Sequence, residues 1–459
     1  MKIARILLTG LICFSMMLSF AACDGSKESK PVDPKTSLTS DQQDVIDQTA
    51  SSLPKIELEN KDVIWLAWWE LAEEDAEVAL FKSAYGGNII NRFTNWENRY
   101  TTLSAQVMGG DAPDIFPFEA DNFPTGVISQ MYAPIDDLID LEDDVWADTK
   151  EIMEKYKWGD HYYCVVPYTY EGDLLIYNRE IIDEHGLDDP YDLYVQNKWD
   201  WKAFKDMLLD FVDKDEDRYG LGGWNPEYAL ISTTGVPMIG SKDGQLVNNL
   251  KAPEVQRAQK FLGELNDEGL NYPFEEFNWS DNLSFIAEGK MLFYAGGSWQ
   301  VKDEFCNPLK QDIGDKVFFV PFPKDPDADK YYQDVTNGAD VHMLIKGAPN
   351  PEGVAAWQNV RRVAKYDKEA DAVGRQKMID DYNMSEEMLD FFDELRAPGT
   401  FSPVFDFRKG LGTEITKDGG PLENTIHGPF RAGTSYIELV EENYDAIDYA
   451  LNDINKSTN

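Results

Sequence analysis

Residues 62–118 read "DVIWLAWWELAEEDAEVALFKSAYGGNIINRFTNWENRYTTLSAQVMGGDAPDIFPF", and three short apolar runs in them alternate with two segments of helix length. "DVIWLAWWE" (Asp62–Glu70) is rich in aromatic and β-branched residues, which suits a strand. A helical stretch follows to about Tyr85 and is stopped by Gly86-Gly87. "NIINRFTNW" (Asn88–Trp96) is the second strand candidate; a helix over Glu97–Met108 then ends at Gly109-Gly110, and "PDIFPF" is the third strand. This β-α-β-α-β order predicts a parallel sheet with helices on its faces. In such sheets, ligands bind beyond the carboxyl ends of the strands.

Downstream, "YYCVVPYTYEGDLLIYN" (Tyr162–Asn178) is a strand interrupted by Pro167 and Gly172 and then resumed, as a chain crossing between two lobes would be. "KVFFVPFPK" (Lys316–Lys324) is a candidate return crossing. Helices with apolar stripes are expected over Trp199–Val212, Pro253–Gly269 and Ser435–Lys456. Upstream, "MKIARILLTGLICFSMMLSFAAC" places Lys2 and Arg5 before an apolar run, Ile6 to about Phe20, and small residues before Cys23. That is the pattern of a secretory signal over residues 1–22. The run is too short, and too promptly followed by polar residues, for a membrane span. "FAAC" resembles the lipobox of bacterial lipoproteins, with Phe20 where Leu is usual, and implies lipidation at Cys23. Residues 23–57, polar and broken by Pro, read as a tether, with a weak helix near Asp41–Ser51 that Thr39-Ser40 could cap.

With 84 acidic and 42 basic residues in 459, the chain would be repelled by nucleic acid and by anionic membrane surfaces. Its 42% hydrophobic and 13% aromatic content is that of a globular protein. No cofactor signature is present, and none of His161, His185, His342 and His427 lies at metal-ligand spacing from another. "DKDEDRYG" (Asp213–Gly220) alternates acids as a calcium loop would, but Arg218 stands where that loop needs Gly, so a solvated acidic turn is expected. Cys164 and Cys306 are expected to be separate core thiols rather than a disulfide.

The remaining chemistry is aromatic rings beside carboxylates and amides at the predicted strand ends. "WWE" (Trp68, Trp69, Glu70) follows the first strand and "FEADNF" (Phe118–Phe123) the third; "YTYEGD" (Tyr168–Asp173) lies in the crossing. "GWNPEY" (Gly223–Tyr228), "GGSW" (Gly296–Trp299) and "TNGAD" (Thr336–Asp340) complete the set. A pyranose offers two C–H faces and a rim of hydroxyls, so it asks for flat rings to stack on and planar polar groups at its edge. Strand alternation should bury one of Trp68 and Trp69 and leave the other free. "GGSWQ" fails the nucleophile elbow, because Gln300 stands in place of its last Gly, so Trp299 rather than Ser298 is the expected working residue.

The order of these segments resembles the extracellular solute-binding proteins of ABC importers, in the sugar-binding family that includes maltose-binding protein. The carrying stretches are "VMGGDAPDIFPFEA" (Val107–Ala120), "YAPIDDLID" (Tyr132–Asp140), residues 162–190, "FIAEGKMLFYAGGSW" (Phe285–Trp299), "VFFVPFPK" (Val317–Lys324) and "NPEGVAAWQNV" (Asn350–Val360). The resemblance runs over about residues 60–365. It implies a two-lobed α/β fold of the periplasmic-binding-protein type, with two parallel or mixed sheets flanked by helices and joined by hinge strands. The first lobe would comprise 58–168 and 323–365, the second 169–322 and 366–459. It further implies a monomer that closes on a sugar, does no chemistry on it, and presents it to the permease subunits of an ABC transporter. Membrane attachment would be through the lipid anchor alone. Ligand contact is carried onto Trp68 or Trp69, Glu119, Asp121, Tyr168, Glu171, Trp299, and Asn337 or Asp340. Trp224, Trp279, Phe405 and Arg408 are added from residue type and loop position. The abundance of Trp (12) and Tyr (22) favours an oligosaccharide. Two other classes share this composition: a surface glycan-degrading enzyme, which would use paired carboxylates, and a ligand-sensing subunit of a membrane receptor. A peptide or polyamine ligand is a further alternative.

Overall fold

The computed structural model describes residues 36–73, 75–168, 171–276, 283–302, 307–335 and 341–457. The first three strands form as β1 (Val63–Ala67), β2 (Ile89–Phe93) and β3 (Ile115–Pro117), and β1 pairs in parallel with both others. The helices between them, Ala76–Tyr85 and Arg99–Gly109, stop at Gly86 and Gly110, which adopt left-handed backbone at φ 67 and 74. Glycine takes that conformation without a steric penalty, so the sequence signal and the helix end coincide.

A second sheet is built from β4 (Asp173–Asn178), β5 (Tyr219–Gly223), β6 (Met291–Gly297) and β7 (Val317–Pro321), in the order β7-β4-β6-β5. β6 runs parallel to β5, whereas β4 is antiparallel to β6 and β7, so the sheet is mixed. Every residue of β6 is buried, as a central strand covered on both faces must be. After β7 the chain forms β8 (Tyr332–Asp334) and returns to the first sheet as β9 (His342–Leu344), antiparallel to β3. β8 itself pairs with β10 (Ser402–Val404), a short parallel ribbon. Two sheets, each completed by a chain that leaves and comes back, give the two-lobed α/β fold.

Two expected boundaries shift. The helix expected near Asp41–Ser51 forms as Ser40–Ser52, inside the span expected as tether, and is closed by a reciprocal cap in which Thr39 and Gln42 bond each other's backbone. Ile46, Ala50 and Leu53, spaced four and three apart, are buried on one face. Ser83 donates to Asp47 (2.7 Å) and Thr49 to Asp367 (3.5 Å), tying this helix to Ala76–Tyr85 and to Lys368–Tyr382. Helix Lys368–Tyr382 therefore packs on the first lobe, whose last visit runs past residue 365. Helix Glu386–Arg396 belongs with the second lobe, Phe392 stacking on Phe319 of β7 with ring centres 4.4 Å apart. Among the described residues, no helix is long and apolar enough to cross a membrane.

Candidate functional site

On the first lobe, the chain leaves the carboxyl end of β1 as Trp68-Trp69 and passes Trp96 just after β2. Because β1 ends at Ala67, strand alternation does not govern the tryptophan pair: Trp65 is buried, Trp68 half-buried and Trp69 38% exposed. Trp68 meets both neighbours edge-on, with ring centres 4.8 Å from Trp69 and 4.9 Å from Trp96, an arrangement favoured by ring quadrupoles. Trp96 is 47% exposed and was missed in the sequence, because Asn88–Trp96 reads as one strand. β2 stops at Phe93, and the signal was there: an aromatic just past a strand end, as in "AWWE". The buried Arg99 guanidinium lies 3.6 Å from the centre of the Trp96 ring, a cation–π contact that fixes it.

Asp121 receives a hydrogen bond from Tyr100 and an ion pair from Arg99, so it anchors the groups behind the tryptophans. Glu119 is different. Burial, then the charge of Asp121, pushes its pKa up to about 8 against the pull of Lys409 and Arg99. At neutral pH its carboxyl therefore offers a donor as well as an acceptor.

On the second lobe, Trp224 follows β5 and Trp299 follows β6, and their rings meet edge-on at 5.4 Å. Gly223 makes this possible: its φ is 101, and a Cβ there would sit 2.3 Å from the backbone of Ala295. Trp224 N–H then donates to the Ala295 carbonyl at 2.8 Å. Gly296 and Gly297 do not serve as left-handed turn residues. They make room: a Cβ would lie 2.2 Å from Gln300 Oε1 at the first and 2.5 Å from the Trp299 indole at the second. Ser298 is buried and donates its amide to Gly172 O, while Trp299 is 37% exposed.

Three candidates are placed inside the protein instead. Glu171, fully buried in the crossing before β4, is held by Lys302 (2.6 Å) and Arg396 (3.1 Å). Burial pushes its pKa up, but those two cations outweigh it and hold the carboxyl below its usual range. Phe405 is packed between Phe118, Phe123, Tyr156 and Phe407 where the lobes meet. Arg408 is buried on Tyr228 (3.8 Å to the ring centre) between Asp334 and Asp406. None of the three offers a ligand any surface. Half-buried Tyr168 lies 5.7 Å from the Arg361 guanidinium. Trp279, Asn337, Asp340, Cys23 and Cys306 lie outside the described residues. Cys164 is a buried free thiol. In the acidic turn Arg218 pairs with Asp213 and Glu216, and no metal-ligand cluster occurs among the described residues.

Just after Trp224, helix Pro226–Ser232 carries at its second position Glu227, which is fully buried. Glu227 accepts from Arg431 (2.6 Å) and bonds His427 Nδ1 (2.8 Å), whose Nε2 meets Glu423 at 2.7 Å. Burial opposes all these charges, yet His427 is raised above its ordinary 6.5 by the two carboxylates, and Glu227 falls from 4.5 to about 2. A raised histidine stabilises fully below 6.5 and loses this as pH rises through its folded pKa. The depressed glutamate stabilises above 4.5 and loses this as pH falls toward 2. Melting temperature should therefore contain a contribution that is greatest between these limits. His427→Gln is expected to remove the alkaline slope, read from melting curves across pH 4–9 in both proteins.

The family model described as bacterial extracellular solute-binding protein matches residues 66–363, more than half of the chain. No curated protein matches by sequence. Among solved structures, the GacH receptor of Streptomyces glaucescens, solved unliganded and with acarbose, aligns at 16% identity and TM-score 0.62, covering 85% of this chain and 98% of its own. The cyclic α-maltosyl-1,6-maltose binding protein of Arthrobacter globiformis aligns at 15% identity and TM-score 0.61, covering 85% and 98%. A solute-binding protein of Thermotoga lettingae bound to α-D-tagatose aligns at 15% identity and TM-score 0.60, covering 85% and 100%. At such identities the likeness is one of fold.

Proposed function

Since the chain belongs to the family of bacterial extracellular solute-binding proteins, we propose that it captures a sugar, in particular an oligosaccharide, between its two lobes and delivers it to an ABC importer. The observation that carries the reading is the placing of exposed indoles at strand ends in both lobes: Trp69 and Trp96 on one, Trp299 on the other. Each meets another tryptophan edge-on and keeps part of its indole exposed, the kind of surface on which the C–H face of a pyranose stacks. The uncharged Glu119 carboxyl is suited to a hydroxyl rim. Support for the ligand class comes from structural neighbours whose described ligands are acarbose, a cyclic maltosyl-maltose and tagatose. Binding without chemistry is the accompanying reading. A lipid at Cys23 would hold the protein at the outer face of the cytoplasmic membrane, as the sequence around it suggests.

The test is thermal unfolding against a panel of mono- and oligosaccharides, with peptides and polyamines as controls. A ligand that binds only the folded state raises the melting temperature; at 100 times Kd the stabilisation is about 2.7 kcal/mol. A rise with one glycan class is expected. A rise with peptides or polyamines alone would discard the sugar and keep the fold, and release of shortened glycans over time would revive the enzyme.

A further inference from the structure

Beyond the Trp224–Trp299 pair, the second lobe carries an open depression of about 350 Å³ lined by Lys214, Tyr219, Asn266, Asn271, Phe274 and Arg431. Its size falls within the range of small-molecule sites, which begins at about 300 Å³. The depression is joined to the Trp224 end of β5 by a hydrogen-bonded pair of side chains. Arg431 Nη2 donates to Asn225 Oδ1 at 2.8 Å, and Asn225 is the residue directly after Trp224. The same guanidinium lies 3.8 Å from the centre of the Phe274 ring. It cannot drift, because Glu227, buried below, accepts from its Nε.

The lining has the composition of a saccharide subsite. Phe274 is 40% exposed, backed by Arg431 as Trp96 is backed by Arg99 in the first lobe. Asn266 and Asn271 both donate to the Phe430 carbonyl (2.6 and 2.9 Å), which pins their amides and leaves their side-chain oxygens as acceptors. The Lys214 ammonium and the Tyr219 hydroxyl have no bonding partner among the described residues. A platform, two fixed acceptors and two unspent donors thus surround one space.

Resting on the sugar-binding reading, we propose that this depression is a distal subsite. It takes an outer ring of an oligosaccharide whose inner rings lie on Trp299 and Trp224, so the protein favours longer chains over disaccharides. The chain would pass over Asn225 and Arg431, the two residues that join the sites.

The experiment is calorimetric titration of the purified protein with one glycan series, from the disaccharide to the hexasaccharide. Wild type is compared with Phe274→Ala and with Tyr219→Phe, which removes only a hydroxyl. Unliganded melting temperatures establish that both variants fold. Wild type is expected to gain about tenfold in affinity as chains lengthen to fill the depression. Phe274→Ala should abolish that gain and leave disaccharide affinity unchanged; Tyr219→Phe should reduce it. If longer chains bind no tighter, or if Phe274→Ala weakens all lengths equally or none, the distal subsite is wrong while sugar binding stands. If no length binds, both readings fall.

Discussion

Replacing Arg408 by methionine is expected to cost about 3–5 kcal/mol of stability, because it removes the buried cation that lies between two buried carboxylates. Arg408 and Asp334 are fully buried and Asp406 nearly so, with Nη1 at 3.5 Å from the first carboxylate and 3.8 Å from the second. Asp406 also receives the amides of Met238 (2.8 Å) and Ile239 (3.1 Å), so it cannot turn away when the arginine is lost. Urea unfolding of the unliganded variant measures the loss. Adding Asp334→Asn should recover part of it, since a neutral amide costs less to bury than a carboxylate that has lost its arginine. A residue whose only work was to touch ligand would leave unliganded stability where it was, so an unchanged midpoint would return Arg408 to the cleft.

Trp299→Ala carries the second large effect. If Trp299 is a sugar platform as proposed, its indole is expected to contribute about 2 kcal/mol or more, which is roughly a 30-fold loss of affinity. Being 37% exposed, Trp299 should be removable with a smaller change in the melting temperature of the free protein. Its partner is not independent: Trp224 touches it at 5.4 Å, so Trp224→Ala and the double variant should give non-additive losses in titrations. Wild-type affinity in Trp299→Ala would move the platform to the first lobe, where Trp96→Ala becomes the deciding variant.

The alternation of strands and helices was legible because punctuation and periodicity agreed. Gly86 and Gly110 ended the helices at which they were read as stops, and Asn350 caps helix Pro351–Tyr366 where "NPEG" begins it. Helix Ser40–Ser52 was underrated for a physical reason. Its average composition is polar, and the apolar stripe of Ile46, Ala50 and Leu53 is narrow enough to be lost in it. Composition alone makes this stretch read as tether; the spacing of Ile46, Ala50 and Leu53 carries the helix. The positions of Trp69, Trp224 and Trp299 just past strand ends were legible from the sequence. Phe405 and Arg408 were not, since residue type cannot tell a charge facing ligand from one facing a buried carboxylate. Asp334 lies far from Arg408 in sequence, and only the pairing of β8 with β10 brings them together. Trp96 is hidden in the sequence because residues 88–96 read as one strand, which in the structure ends three residues earlier, at Phe93.

The docked N-terminal helix changes how far the molecule could roam. If Cys23 carries a lipid, the leash to the bilayer spans residues 23–39 rather than 23–57. However those residues fold, they reach no more than roughly 60 Å, against roughly 120 Å for the longer stretch. A shorter leash confines the protein to a smaller shell above the membrane, raising its effective concentration at a transporter in the same membrane. It also ties the leash to the first lobe alone. The second lobe would then be the part that swings, while its partner stays moored.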